Sequence, residues 1–207
     1  MRRTASLVPL LIALALPVAA QERPSFDCAG AKSEAEKFVC ADPALMALDR
    51  RLAARYAAAV AVLKKLGSGS QKALAELQAT QRGWIAGRND CWKATDKTDC
   101  VKGEYLRREA DLVARFMLER PRATAAFACE GNPANQVDVF FFATELPGAR
   151  LEYGDSIDTA TLAPPPAGAA ASDARYDGTF GRYLTIRGDE ATFAWPQDKA
   201  MACRKVH

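Results

Sequence analysis

The 207-residue chain has a single histidine, and it is the last residue, His207. A histidine at a chain end is a poor base, because a serine or cysteine nucleophile needs one held in place, so no histidine-based triad can be assembled. The cysteines show no C-x-x-C spacing, and with one histidine they offer no zinc-type ligand set. No glycine-rich phosphate loop or dinucleotide fingerprint occurs either. Gly67-Ser68-Gly69 lacks both the pattern and a preceding strand. Acidic pairs such as Asp189-Glu190 stand beside glycines and read as solvated turn residues. The expectation is a protein that is not an enzyme and uses neither metal nor cofactor.

Long apolar runs are also missing. The longest, Leu7 to Leu16, follows Arg2 and Arg3, is broken by Pro17 and precedes the small residues Val18-Ala19-Ala20. That is the pattern of a secretory signal peptide over residues 1–20, too short to span a bilayer and without a nearby cysteine to carry a lipid. A periplasmic or secreted protein with no membrane anchor is expected. Net charge is small and points to no partner, but its distribution is uneven and speaks for a cationic partner of the second half rather than nucleic acid or an anionic membrane. Residues 21–120 carry 18 Lys/Arg against 14 Asp/Glu, whereas 121–207 carry 8 against 11. The change of sign suggests two domains, the second drawn to a cationic partner.

What the exported part does hold is an even set of six cysteines, at 28, 40, 91, 100, 129 and 203, which favours three disulfides. If each half closes its own bridges, Cys129 pairs with Cys203. Closeness in sequence favours Cys28 with Cys40 and Cys91 with Cys100, and the crossed pairings stay open.

Helical signals fill the first half. Ser33 and Glu36 form a capping box before a short helix, and Asp42-Pro43 caps and starts a second. Leu45, Leu48, Leu52, Tyr56, Val60 and Leu63 then recur every three or four residues until Gly67. Ser70 is the expected cap of a third helix, whose shared face is Leu74, Leu77, Gln81, Trp84 and Ile85. A fourth is expected from Asp99 or Cys100 through Tyr105, Leu106, Leu112, Val113 and Phe116, with Pro121 stopping it soon afterwards. The basic pairs Arg50-Arg51, Lys64-Lys65 and Arg107-Arg108 read as solvated helix faces.

After Pro121 the period changes to two. Phe127 to Cys129, Val137 to Phe142, Arg150 to Tyr153, Ile157 to Leu162, Tyr183 to Ile186 and Ala191 to Trp195 are β-prone runs separated by turn residues. Residues 163–171 form a Pro/Ala-rich connector. The fold class expected is α+β in two domains: a disulfide-linked all-α module over 21–120, then a small antiparallel sheet or barrel over 121–207.

Phe26-Asp27-Cys28, Glu36 to Pro43, Leu48-Asp49-Arg50, Gln81 to Trp84 and Arg88 to Cys91 together resemble the LprI N-terminal domain, a helical module of exported bacterial proteins. Phe127 to Cys129, Ala171 to Tyr176, Ile186 to Ala191 and Cys203 resemble the MliC and PliC inhibitors of c-type lysozyme, which are small antiparallel β-barrels. That second resemblance implies a protein partner, c-type lysozyme, and a mode of action. A serine on a protruding loop bonds the catalytic carboxylates in the lysozyme cleft, and a basic residue followed by glycine adds a second contact. The lysozyme-binding residues so implied are Ser172, Asp173, Tyr176, Arg187 and Gly188. Asp173 stands where the family has glycine, and Thr185 where it usually has tryptophan.

Overall fold

A computed structural model describes residues 23–168, 170, 173–195 and 199–206, so the signal peptide expected over 1–20 and Ser172 lie outside the described residues. Among the described residues four α-helices, with three short 3₁₀ turns around them, are followed by eight strands. The helices are α1 (Glu34–Ala41), α2 (Pro43–Lys64), α3 (Ser70–Asn89) and α4 (Lys97–Phe116). The strands are β1 (Ala123–Cys129), β2 (Asn132–Phe142), β3 (Gly148–Tyr153), β4 (Ser156–Leu162), β5 (Asp173–Gly178), β6 (Tyr183–Arg187), β7 (Glu190–Ala194) and β8 (Met201–Val206).

Local chemistry sets the helix ends. The Glu36 backbone N–H donates to Ser33 Oγ and Glu36 Oε2 accepts from the Ser33 N–H, which is the reciprocal capping box that starts α1. Asp42 accepts from the Ala44 N–H and Pro43 fills the first position of α2. Two helix starts differ from the sequence expectation. Ser70 is the first helical residue of α3 and not its cap, because its own backbone is already helical (φ −62°, ψ −39°), and Gly69 in the cap position has no side chain to offer. The fourth helix starts earlier than expected because Asp96 accepts from the Asp99 N–H at 2.9 Å. Its end at Phe116 agrees with the expected run, but what turns the chain out of the helix is the left-handed backbone of Met117 (φ 49°) and not Pro121.

The apolar stripe of α2 packs as its spacing implies, with Leu45, Leu48, Leu52, Ala59 and Leu63 buried and Tyr56 and Val60 against the same core. Ile85 departs from its expected face and is partly exposed. Cys28 is bridged to Cys40 and Cys91 to Cys100.

The strands pair in sequence order and β8 returns to β1, closing an antiparallel barrel. Closure leaves no sheet edge to template another chain. Phe127, Val137, Val139, Leu151, Leu184 and Phe193 fill its interior. Cys129 faces Cys203 in register across β1 and β8, and the two are bridged over a separation of 74 residues. Closing a loop of that length removes about 4 kcal/mol of unfolded-chain freedom, a large aid to so small a core. Strands β5 and β8 were not among the expected runs. Each alternates, but with charged residues outward (Asp173, Arg175, Asp177; Arg204) and few bulky ones inward, which hides the period.

Helix α4 belongs to both halves. Val101, Tyr105 and Leu112 face the helical core, while Val113 and Ala114 pack with Phe142 of β2. Gly148 lets α4 approach closely, since a Cβ there would stand 3.2 Å from that of Ala110 and 3.3 Å from its carbonyl oxygen. Polar groups follow the same seam. Arg150 donates to the Arg115 carbonyl, and Thr159 donates to Asp111 at 2.6 Å. The basic pairs are not all solvated faces, as had been expected. Arg51 bridges Glu109 and Glu145 across the seam, and Arg108 is buried against Gln81, Thr80 and Asp111. Charges placed beside a packed interface find ion partners there, which periodicity alone does not reveal.

Candidate functional site

One pole of the barrel gathers three of the five residues singled out for lysozyme binding. Strand β5 opens at Asp173, in register with Arg187 at the end of β6. The Arg187 Nε lies 3.8 Å from Asp173 Oδ2. Gly188 follows in a left-handed conformation (φ 61°) that leads into β7, where Glu190 pairs with Arg187. Arg187 is well exposed, with 75% of its side-chain surface accessible. Beside it Glu190 and Arg204 form an exposed ion pair at 3.3 Å, and the Lys205 N–H donates to the Asp189 carbonyl. Charges of both signs therefore ring this pole, with Arg187 outermost on β6.

The backbone N–H of Asp173 donates to the Ala170 carbonyl at 2.9 Å. Asp173 is strand-paired, so an aspartate at this position is compatible with the backbone that carries it. Tyr176 is not part of the exposed pole. It points into the barrel core, 9% exposed, with its ring 5.3 Å from that of Phe141. Burial pushes its phenol above the ordinary value, partly offset by nearby Arg122. Such a residue can fix the position of β5 but does not reach a partner from where it stands. Thr185 faces Arg175 on β5 and Thr192 on β7.

The motif residues of the helical half form a different arrangement. Asp49 is buried and accepts from the Tyr105 hydroxyl (2.8 Å) and from the Ser25 N–H (2.5 Å). Arg88, also buried, donates to the Tyr105 hydroxyl at 2.8 Å and stands over the rings of Trp84 and Tyr105. Asn89 accepts from Arg88 and from Ser33, and Trp84 donates to the Glu104 carbonyl. Burial, the Asp49 charge and the bond to it keep the Tyr105 hydroxyl protonated against the pull of Arg88. Each of these groups finds its partners inside the module. They tie α1, α2, α3 and α4 together and present little to a partner.

Among the described residues no group of three or more His, Cys, Asp or Glu side chains is placed to hold a metal ion. No helix among them is long and apolar enough to cross a membrane. Sequence reasoning passed over the β5–β6 turn, where Phe180 is 87% exposed. Its signal was an aromatic beside Gly181 between two strands, a place that usually takes Asn, Asp or Gly.

Residues 28–127 match the family model described as "Lysozyme inhibitor LprI". The match spans the helical half and ends inside β1, leaving most of the barrel outside it. No curated protein and no solved structure matches the chain.

Proposed function

We propose that the protein is an exported inhibitor of c-type lysozyme that blocks the enzyme's cleft with the Asp173–Arg187 pole of its barrel. The family match of the helical half supports a role in lysozyme inhibition. The observation that carries the choice of surface is the cross-strand approach of Arg187 to Asp173, next to the Gly188 turn and one residue from Ser172.

The chemistry follows from those positions. A lysozyme cleft is acidic at its centre and cationic around it. Ser172 would donate its hydroxyl to the catalytic carboxylates, as the resemblance to the MliC and PliC inhibitors implies. Arg187 would add a positive charge aimed at the same acids. The Asp173 carboxylate would repel them if it projected alone, but a guanidinium 3.8 Å away screens it. The excess of acidic over basic residues in 121–207 speeds encounter with a cationic enzyme without adding much to affinity. Tyr176, inside the barrel, holds β5 in place. The inhibitor occupies the cleft and no bond is made or broken.

A second reading places the inhibitory surface on the helical half, because the family match lies there. The inward direction of Asp49, Arg88 and Tyr105 favours the barrel. Titrating the full chain against the cell-lysing activity of a c-type lysozyme tests the proposal. Saturating inhibition near one equivalent is expected. Undiminished lysis at excess would leave a non-inhibitory envelope module as the better account.

A further inference from the structure

The turn between β5 and β6 places Phe180 and Gly181 both in the left-handed region, at φ 53° and 76°. It is closed by a bond from the Arg182 N–H to the Thr179 carbonyl. Glycine adopts this backbone freely, whereas a bulky aromatic does so under strain. The Phe180 ring gains nothing from burial either, being 87% exposed. The Arg182 guanidinium stands 5.7 Å from the ring centroid, and the rest of the ring is open to an incoming ligand.

Phe180 helps line a cleft of about 750 Å³ between α3 and α4 on one side and β4 and β5 on the other. That volume is in the range of small-ligand sites. Part of its lining is apolar, including Leu77 and Phe116. Its charged lining is mixed, five acids and four arginines, and includes the pairs Arg107–Glu104 at 2.6 Å, Arg182–Asp158 at 3.0 Å and Arg108–Asp111 at 2.6 Å. Paired charges give no strong net field to attract a phosphate or a polyamine. They do supply donors and acceptors side by side. The ligand that suits such a surface is uncharged, with one apolar face and a rim of hydroxyl and amide groups.

We propose that this cleft binds a chain of N-acetylated amino sugars. A pyranose face lies on the Phe180 ring, the acetamido methyl reaches the Leu77 and Phe116 side, and hydroxyls and amides meet Glu104 and Arg107. The choice of amino sugar rests on the inhibitor reading, since such a glycan is what lysozyme cuts. The site lies at the far end of the β5–β6 hairpin from Arg187, roughly 16 Å away at 3.3 Å per strand residue. An inhibitor held on the glycan by this end keeps the other pole free for the enzyme.

Calorimetric titration of the full chain with tetra-N-acetylchitotetraose tests the site in the absence of lysozyme, so its result is independent of whether the chain inhibits. Saturable binding is expected, with at least a tenfold loss in Phe180→Gly. That variant should melt no lower than wild type, because glycine accepts the turn without strain, and should inhibit lysozyme equally. Absence of saturable binding, or equal binding by Phe180→Gly, would overturn the proposal. So would a loss of lysozyme inhibition in Phe180→Gly, which would assign the ring to a protein contact.

Discussion

The guanidinium of Arg187 stands 3.8 Å from the carboxylate of Asp173 on the neighbouring strand, at the barrel pole where the two strands end. In the proposed complex this pole would face the acids of a lysozyme cleft, and the neighbouring guanidinium would offset the Asp173 charge there. Asp173→Asn should therefore tighten lysozyme inhibition only modestly, about threefold, because a screened surface charge contributes little. The same change in an Arg187→Ala background should have a larger effect. A competition assay on the four variants measures both, and raised salt should shrink the difference.

The buried chain Arg88–Tyr105–Asp49 gives a second prediction, about stability alone. Tyr105→Phe leaves a buried guanidinium and a buried carboxylate each one partner short, at a cost of about 2 to 4 kcal/mol. Urea unfolding should show it. At temperatures where the variant is folded, inhibition per molecule should match wild type.

At the seam between the halves, Gly148→Val would drive a branched side chain into Ala110, whose Cβ and carbonyl already stand within 3.3 Å of the added Cβ. Overpacking of this kind costs about 1 to 3 kcal/mol. Faster proteolysis between Phe116 and Ala123 in the variant is the expected readout.

Glu36 supplies a pH dependence. Backbone bonds from Ser33 and Lys32 hold its carboxyl below the ordinary value of 4.5, with Ser33 Oγ and Arg88 adding to the effect. A depressed folded-state value means the stabilisation is fully present above the unfolded value. It is lost as pH falls through the folded one. Melting curves of Glu36→Gln should therefore show a smaller drop in Tm below pH 4.5 than wild type.

Much of the architecture was legible because short-range chemistry fixes it. Ser33 with Glu36, Asp42 with Pro43 and the leucines of α2 act within a turn or two of helix. The features that were not legible depend on neighbours distant in sequence. Arg51 looks like a surface charge until α2 is placed beside α4 and the barrel loop holding Glu145, and Arg108 until α3 packs against α4. Strand β5 carries three charged residues in six, and only closure between β4 and β6 makes it a strand. The same holds for the candidate site. The pairing of Asp173 with Arg187 needs the β5–β6 register, and Tyr176 turns inward because the strand period puts it on the core side.

Ser172 bears most directly on the central claim that the barrel pole enters the lysozyme cleft. The measurement is the inhibition constant of the full chain against a c-type lysozyme, for wild type and Ser172→Ala, with Tm recorded for both. Losing a hydrogen bond to a charged group in a desolvated cleft is worth about 1.5 to 3 kcal/mol, so inhibition should weaken roughly ten- to a hundredfold at unchanged Tm. Equal inhibition by the two proteins would contradict the account.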